Sequence, residues 1–178
     1  ITTESTALSY AAPKVAGITN ISGGTLKSTS YAIWLNNHVD NAVNITGGHI
    51  ESTSSYIAVA YGSLTITGGT LKGTYGIAMR EISSGSPVIT LGGNASIETK
   101  GSGYPAISSQ AGVKATVRIT STKVKFIGGV IGYYADTSFS GLIDCTEVTG
   151  TFENIIPMSV GGAADGTAFA KFASNALA

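Results

Sequence analysis

Ile66-Thr67-Gly68-Gly69-Thr70-Leu71-Lys72 is the clearest copy of a motif that recurs along most of the chain. Close copies start at Ile21 and Ile45, and a copy with two extra residues starts at Thr90. A further copy, which starts at Ile119, keeps the frame but lacks the glycines. Such a repeat predicts a solenoid, because each copy can bury its apolar face only against its neighbours.

The second apolar residue of each copy marks the register, and successive marks are 21 to 27 residues apart. One turn of a β-helix needs about this much chain, whereas a propeller blade or a helical pair needs more. The pattern predicts an all-β fold, a single-stranded right-handed parallel β-helix of about six coils. The marks, which should stack on one another, are Leu26, Ile50, Leu71, Ile97, Val124 and, in the faintest copy, Val148.

Each coil should contain three short strands. The first is the alternating run before the glycines, which then turn the chain because glycine accepts a positive φ at no steric cost. The second strand carries the mark inward. The third begins near a tyrosine, and its expected inward stack is Ile33, Ile57, Ile77 and Ile107.

Charged residues follow the marks with alternating sign, which supports the register. Stacked strands lie about 4.8 Å apart, so like charges would repel and alternating charges attract. The predicted charge ladder is Lys27, Glu51, Lys72, Glu98 and Lys125. The other interpretation is a set of scattered surface charges.

Composition separates this chain from several functional classes. Charged residues are 11% of its 178 residues, and ten basic residues balance ten acidic ones. A chain without net charge attracts neither nucleic acid nor an anionic membrane, and it does little to oppose self-association. No apolar run is long enough for a membrane helix, so we expect no membrane insertion. The single cysteine, Cys145, excludes an internal disulfide and is expected to be buried and inert.

The chain divides into three predicted parts. Residues 1–17 form an N-terminal cap or leading strand, residues 18–158 form the coils, and residues 159–178 form a C-terminal cap or an interface segment. The caps are expected because an uncovered terminal coil exposes a row of unpaired backbone groups. The hydroxyl- and glycine-rich composition is typical of exported proteins, and we expect a signal peptide outside these residues.

The Ile-Thr-Gly-Gly-Thr-Leu motif followed by an isoleucine-rich strand resembles the degenerate repeats of large bacterial surface proteins. Those repeats are predicted to adopt pectate-lyase-like right-handed β-helices, and the resemblance covers about residues 18–158. It implies an extracellular or cell-surface, adhesin-like setting beside neighbouring domains, with a glycan or a host surface protein as partner. It implies no particular ligand, since the same fold carries lyases, hydrolases, carbohydrate-binding domains and passive stalks.

Catalytic residues are not apparent in the sequence. Glycoside hydrolysis needs two carboxylates within about 10 Å, and no Asp-x-Asp or Asp-Asp pair occurs. His38 and His49 lack partners at metal-ligand spacing, so zinc is not expected. We expect no cofactor, although Asp40 or Asp136 with backbone carbonyls could hold calcium.

Loops between the third strand of one coil and the first strand of the next should emerge at one corner, where solenoids often bind ligands. Aromatic and amide or acidic side chains there could hold a sugar, and solvated loops without a ligand are the alternative. The candidate ligand-binding residues are Trp34, Asn36, Asn37, His38, Asp40, Tyr61, Arg80, Glu81, Tyr134 and Asp136. The tyrosines at positions 31, 56, 75 and 104 are interpreted as an aromatic ladder at the core edge, or alternatively as a stacking platform.

The leading functional hypothesis is a non-catalytic structural or adhesive module of a bacterial surface protein. The first alternative is a carbohydrate-binding module or a decayed polysaccharide lyase or hydrolase. The second is the subunit of a self-assembling filament.

Overall fold

The chain is a parallel β-solenoid of about four turns, seen in a computed structural model. The structure describes residues 3–5, 14–38, 40–82, 85–101, 103–110, 113–129, 131, 133–134, 137–138, 141–154 and 169–172. These residues contain strands and no helix. The predicted all-β fold with stacked parallel coils is therefore confirmed, and its right-handed sense stays a prediction.

The strands of the described residues are short, except for two that run through a corner of the coil. In chain order they are β1 (Thr3–Ser5), β2 (Lys14–Val15), β3 (Ile18–Ile21), β4 (Thr25–Ser28), β5 (Ile33–Leu35), β6 (Ala42–Ile45), β7 (His49–Ala60), β8 (Ser63–Ile66), β9 (Thr70–Met79), β10 (Val88–Leu91), β11 (Ser96–Thr99), β12 (Ile107–Ser109), β13 (Ala115–Ile119), β14 (Lys125–Ile127), β15 (Tyr133–Tyr134), β16 (Thr137–Ser138), β17 (Gly141–Cys145) and β18 (Phe169–Phe172).

Two parallel sheets enclose the core. The first strands of the coils form a seven-stranded sheet in the order β18-β17-β13-β10-β8-β6-β3. The second strands follow the order β1-β4-β7-β9-β11-β14 in a nine-stranded sheet. The third strands β2, β5 and β12 belong to this same sheet, because β7 and β9 each continue from a second strand into a third.

The predicted marks stack over the first four coils. Leu26, Ile50, Leu71 and Ile97 are direct partners in successive strands, and the last two have no exposed surface. The Gly-Gly turns before them also stack. Gly69 has a φ of 87°, and a Cβ atom on it would lie 2.8 Å from the Gly48 carbonyl oxygen. Both the conformation and the close approach of successive turns therefore require glycine there.

The register prediction for the fifth coil is wrong. Phe126, and not Val124, lies opposite Ile97, and Ile127 replaces Lys125 opposite Glu98. The turn before β14 has lost its glycines and is longer than the earlier turns, so β14 starts later than the motif suggests. Val124 is still completely buried, but it lies in that turn.

The number of coils is about four and not the six that the marks predict. Four consecutive coils, from residue 18 to residue 109, have all three strands. In the fifth coil the third strand is represented, among the described residues, by a single bridge between Ile131 and Ile107. The sixth copy contributes β17, while its mark Val148 is buried outside any described strand.

The third-strand stack also differs from the prediction at one position. Ile33, Ile77 and Ile107 share a column, but Ala58 occupies the place expected for Ile57. The register shifts between Ser52 and Tyr56, where β7 bends into the third strand. That irregularity shifts the register of β7 against β9 by two residues, from Ser52 opposite Gly73 to Tyr56 opposite Tyr75, and Ile57 is buried all the same.

The charge ladder is present in the first four coils. Lys27 Nζ lies 3.1 Å from Glu51 Oε2, and Lys72 Nζ lies 2.8 Å from Glu98 Oε1. Glu4, in the leading strand β1, is the strand-register partner of Lys27 in β4. Hydrogen bonding from Lys27 is the largest cause that lowers the pKa of Glu51.

Polar side chains on the other faces also join one coil to the next. The Asn44 amide donates to Asn20 Oδ1 over 2.9 Å, and the two residues are register partners. Ser52 Oγ donates to the Ser30 carbonyl, and Thr74 Oγ1 donates to the Thr53 carbonyl over 3.3 Å. The many Ser, Thr and Asn residues of the repeat therefore serve as links between coils.

Candidate binding surface at the loop corner

Four connections leave a third strand and enter the next first strand, and together they form the loop corner. They span residues 36–41, 61–62, 80–87 and 110–114, after β5, β7, β9 and β12. Since the flanking strands pair in register, these connections follow one another along the solenoid axis. Seven of the candidate residues lie in the first three: Asn36, Asn37, His38, Asp40, Tyr61, Arg80 and Glu81.

Hydrogen bonds hold the first of these connections in an ordered turn. The His38 N–H donates to the Asn36 carbonyl over 2.8 Å, and the Asp40 N–H donates to His38 Nδ1 over 3.3 Å. His38 Nδ1 also lies 3.5 Å from Asp40 Oδ2, and both side chains are largely exposed. The turn thus presents an imidazole and a carboxylate side by side to solvent.

The buried residue Asn41 stabilises this turn. No pattern in the sequence distinguishes Asn41 from the other asparagines. Its side chain is buried, with Oδ1 accepting from the Gly17 N–H over 2.6 Å and Nδ2 donating to the Asn36 carbonyl over 2.8 Å. Its own carbonyl accepts the Ser63 N–H over 3.1 Å. Asn41 therefore links three parts of the fold: the residue that leads into the first coil, the turn at the loop corner, and the start of the third coil.

Gly62 brings the second connection directly against the first. A Cβ atom at this position would collide with the Asn41 carbonyl oxygen and lie 3.4 Å from the His38 carbonyl oxygen. Tyr61 is consequently placed close to the turn, and its ring centroid lies 5.7 Å from that of Trp34. Trp34, Tyr61 and the His38–Asp40 pair thus form one local group at the corner.

An aromatic row, made of Tyr61, Trp34, Tyr31, Tyr56, Tyr75 and Tyr104, runs from this group along the third strands. Tyr56 and Tyr75 are stacked at 4.8 Å with an interplanar angle of 28°, and Tyr31 and Tyr56 are stacked at 6.4 Å and 19°. The four tyrosines therefore form the ladder that the sequence predicts. Tyr75 and Tyr104 meet edge to face, at 5.2 Å and 63°. Because each ring is in contact with the next, the row leaves little flat surface for a sugar.

The remaining candidates lie farther along the axis or beyond what can be described. The Arg80 N–H donates to the Ala60 carbonyl over 2.9 Å, and Glu81 beside it is exposed. Tyr134 belongs to β15, which pairs antiparallel with β16. Asp136 lies outside the described residues, as do residues 155–168 and 173–178 of the predicted C-terminal region.

Metal binding and membrane insertion find no support in the described part of the chain. No group of three or more His, Cys, Asp or Glu side chains there could hold a metal ion. The same residues contain no helix that is long and apolar enough to cross a membrane. Calcium binding through Asp40 stays a prediction.

No protein-family model, curated protein or solved structure matches the chain. The parallel β-solenoid is seen in the structure itself, whereas the pectate-lyase-like type and the bacterial surface origin are implied by the sequence resemblance alone.

Proposed function

We propose that this chain is a non-catalytic, extracellular structural and adhesive module of a bacterial surface protein, with a β-helix of the pectate-lyase-like type. The observation that carries the proposal is the set of in-register ladders on the outer faces. Lysine–glutamate, asparagine–asparagine and hydroxyl–carbonyl contacts each join one coil to the next. Because these contacts link each coil to the next, they should make the solenoid a stiff rod.

A stiff rod with a neutral, hydroxyl-rich surface suits a spacer that presents an adhesive face. Each coil adds about 4.8 Å along the axis, so length grows steadily with the number of repeats. Because the surface carries little charge, we expect a partner to be bound through hydrogen bonds and apolar contacts, which salt screens little. Such contacts fit a glycan or a host surface protein.

Adhesion can be tested with beads coated with the full chain and applied to host-cell layers. The matched variant carries Asn44→Lys and Thr65→Lys, which change neighbouring outward positions of β6 and β8 and leave the buried positions intact. We expect the parent beads to adhere and the variant beads to adhere less. Parent beads that adhere no better than albumin-coated beads would contradict the adhesive role.

Carbohydrate binding is the second candidate, and the group at the loop corner favours it. Trp34 is only half-buried, and its ring is tilted by 43° to that of Tyr61, so the two faces do not cover each other. The exposed His38–Asp40 pair beside them offers hydrogen-bonding groups. An aromatic face next to polar groups is an arrangement that can hold a sugar ring.

A pull-down on insoluble polysaccharides separates the two candidates. If the corner binds glycans, Trp34→Ala should abolish retention, whereas Tyr104→Ala, at the far end of the aromatic row, should preserve it. Equal retention of both variants, or no retention of the parent, would exclude this binding site.

A further inference from the structure

Tyr56 and Tyr75 are the closer of the two stacked pairs in the aromatic row. They are direct register partners in β7 and β9, and their ring centroids lie 4.8 Å apart with an interplanar angle of 28°. Both residues are partly exposed, so a small oxidant in solution can reach them. Two phenol rings held face to face at an accessible position are suited to oxidative coupling.

We propose that Tyr56 and Tyr75 form a site of oxidative modification, at which hydrogen peroxide and a haem peroxidase join the two rings into dityrosine. The new bond ties the second coil to the third, in a chain whose single cysteine excludes an internal disulfide. The site requires no glycan and no host protein. It therefore goes beyond the adhesive role and does not depend on it.

The coupling balances with hydrogen peroxide as the only oxidant. The peroxidase removes one electron and one proton from each phenol, which leaves two phenoxyl radicals whose unpaired electrons extend to the ortho carbons. The two radicals pair these electrons in a carbon–carbon bond between ortho carbons. Each of these carbons then releases its hydrogen as a proton and each oxygen regains one, which restores both aromatic rings. The protein loses two hydrogen atoms, and one molecule of hydrogen peroxide takes them up to become two molecules of water.

The backbone holds the two rings together before the reaction. Tyr56 and Tyr75 lie inside the two longest described strands, whose pairing continues to Ala60 and Met79. Neighbouring parallel strands are about 4.8 Å apart, and the ring centroids have the same separation. Reacting groups held in this way couple in an effectively unimolecular step. We therefore expect coupling within one chain to be faster than coupling between chains.

The other tyrosine contacts of the row are less suited to coupling. Tyr31 and Tyr56 stack at the larger distance of 6.4 Å, and Tyr75 and Tyr104 meet edge to face at 63°. Tyr31 and Tyr104 also lie outside the described strands, so strand pairing does not fix their positions. Distance, ring orientation and backbone support therefore all favour the bond between Tyr56 and Tyr75.

The rest of the aromatic row can supply oxidising equivalents to this pair. Ring contacts run without a gap from Tyr61 through Trp34 and Tyr31 to Tyr56. An oxidised indole can take an electron from a neighbouring tyrosine, which releases its phenol proton at the same time. An oxidation event at the half-buried Trp34 can thus migrate from ring to ring. Coupling needs radicals on two adjacent rings, and migration lets two separate oxidation events meet at the stacked pair.

Sulfur side chains oxidise readily, but those of the described residues are not accessible. Met79 and Cys145 have no exposed surface. Susceptibility to oxidation follows exposure, so neither should compete with the aromatic row in the folded chain. The other methionine, Met158, lies outside the described residues.

Peroxidase treatment of the 178-residue chain, followed by trypsin and mass spectrometry, tests the site. Trypsin cleaves after lysine and arginine, so Tyr56 falls in peptide 28–72 and Tyr75 in peptide 73–80. We expect these two peptides to be joined with the loss of two hydrogen atoms, and fragmentation to place the bond on Tyr56 and Tyr75. Because the coupling is intramolecular, its yield should not change when the chain is diluted before treatment.

Conservative variants separate this pair from the other tyrosines. Tyr56→Phe and Tyr75→Phe keep a ring for stacking but lack the phenol, so each should abolish the joined peptide. Tyr104→Phe is the matched control, because it removes a phenol at the far end of the row and should keep the yield. Far-UV circular dichroism checks that all three variants are folded. Unfolding the parent in urea before treatment should lower the yield by about tenfold or more, since strand pairing then no longer holds the rings together.

The cross-link should also change the unfolding of the chain. The bond closes a loop between residues 56 and 75 in the unfolded state and so reduces its conformational entropy. The cross-linked chain should therefore unfold at a higher urea concentration than the untreated chain. Equal midpoints would contradict a bond that ties the two coils together.

Three further results would overturn the proposal: no joined peptide from the folded parent, a joined peptide that persists in Tyr56→Phe, or equal yields from the folded and the unfolded chain. A bond that fragmentation places on Tyr31 or Tyr61 would contradict it as well. Adhesion is measured on untreated protein, so failure of this site and failure of the adhesive role are separate outcomes.

Discussion

Alanine at three glycines of the Gly-Gly turns should not have one common effect on stability, although Gly23 and Gly68 hold the same place in the motif and Gly69 directly follows Gly68. A Cβ atom on Gly23 would have no atom beyond its chain neighbours within 4 Å, and the φ of this residue is outside the positive region. At Gly68 a Cβ atom would lie 2.6 Å from the Thr46 carbonyl oxygen. Gly69 combines a φ of 87° with a Cβ position 2.8 Å from the Gly48 carbonyl oxygen.

The magnitudes follow from these geometries. Gly23→Ala should stabilise by about 0.4–1 kcal/mol, because alanine restricts the unfolded chain at no cost to the folded one. Gly68→Ala forces neighbouring backbone to move, which costs about 1–3 kcal/mol. Gly69→Ala adds the cost of a left-handed alanine, about 1–2 kcal/mol, to a similar clash.

Urea unfolding followed by far-UV circular dichroism measures the differences. With a slope of about 2 kcal/mol per molar urea, Gly23→Ala and Gly69→Ala should have midpoints about 1–3 M apart. The parent should lie between them. Equal midpoints for the two variants would refute the stacked-turn explanation of the glycine pairs.

Three further predictions concern the core, the charge ladder and the cysteine. Leu71→Ala, at a fully buried mark, should cost about 3 kcal/mol and lower the melting temperature by roughly 6–12 °C, whereas Ile127→Ala, at a 38% exposed position, should cost less than about 1 kcal/mol. Glu51 has a pKa below its usual 4.5, so the stability that it contributes is present above pH 4.5 and is lost as the pH falls through the lowered pKa. In acid titrations followed by circular dichroism, Glu51→Gln should therefore lose less stability than the parent. Identical unfolding curves of the two proteins at acidic pH would contradict a stabilising role of the Glu51 carboxylate. Burial raises the pKa of Cys145 to about 11, so at about pH 8 a thiol reagent should modify the unfolded chain quickly and the folded chain very slowly.

The sequence predicts the middle of the solenoid well because a Gly-Gly turn precedes each second strand there. Such a turn allows only one short path between the strands, and the marks Ile50 and Leu71 consequently stack as expected. Before β14 the turn Ser121-Thr122-Lys123 has no glycine and can be longer, so spacing alone could not distinguish Val124 from Phe126.

The loop corner was predictable only in part. The chain order of the strands places Trp34 and Tyr61 at the same corner, and the structure brings their rings into contact. The part played by Asn41 was not predictable, because it depends on the Gly17 N–H and the Asn36 carbonyl, which only the folded coils bring within reach. Packing of adjacent coils, and not local sequence, selects one asparagine from several.

The aromatic row should make the fluorescence of Trp34 sensitive to whether the neighbouring coils are folded. Trp34 is the only tryptophan, and tyrosines from four coils lie in a continuous chain of ring contacts that ends on it. Light absorbed by tyrosine should pass along these rings and emerge as tryptophan fluorescence. If coils detach from the end at Tyr104, the transferred emission should fade stepwise while directly excited emission from the indole persists, so fraying of the rod can be followed without a label.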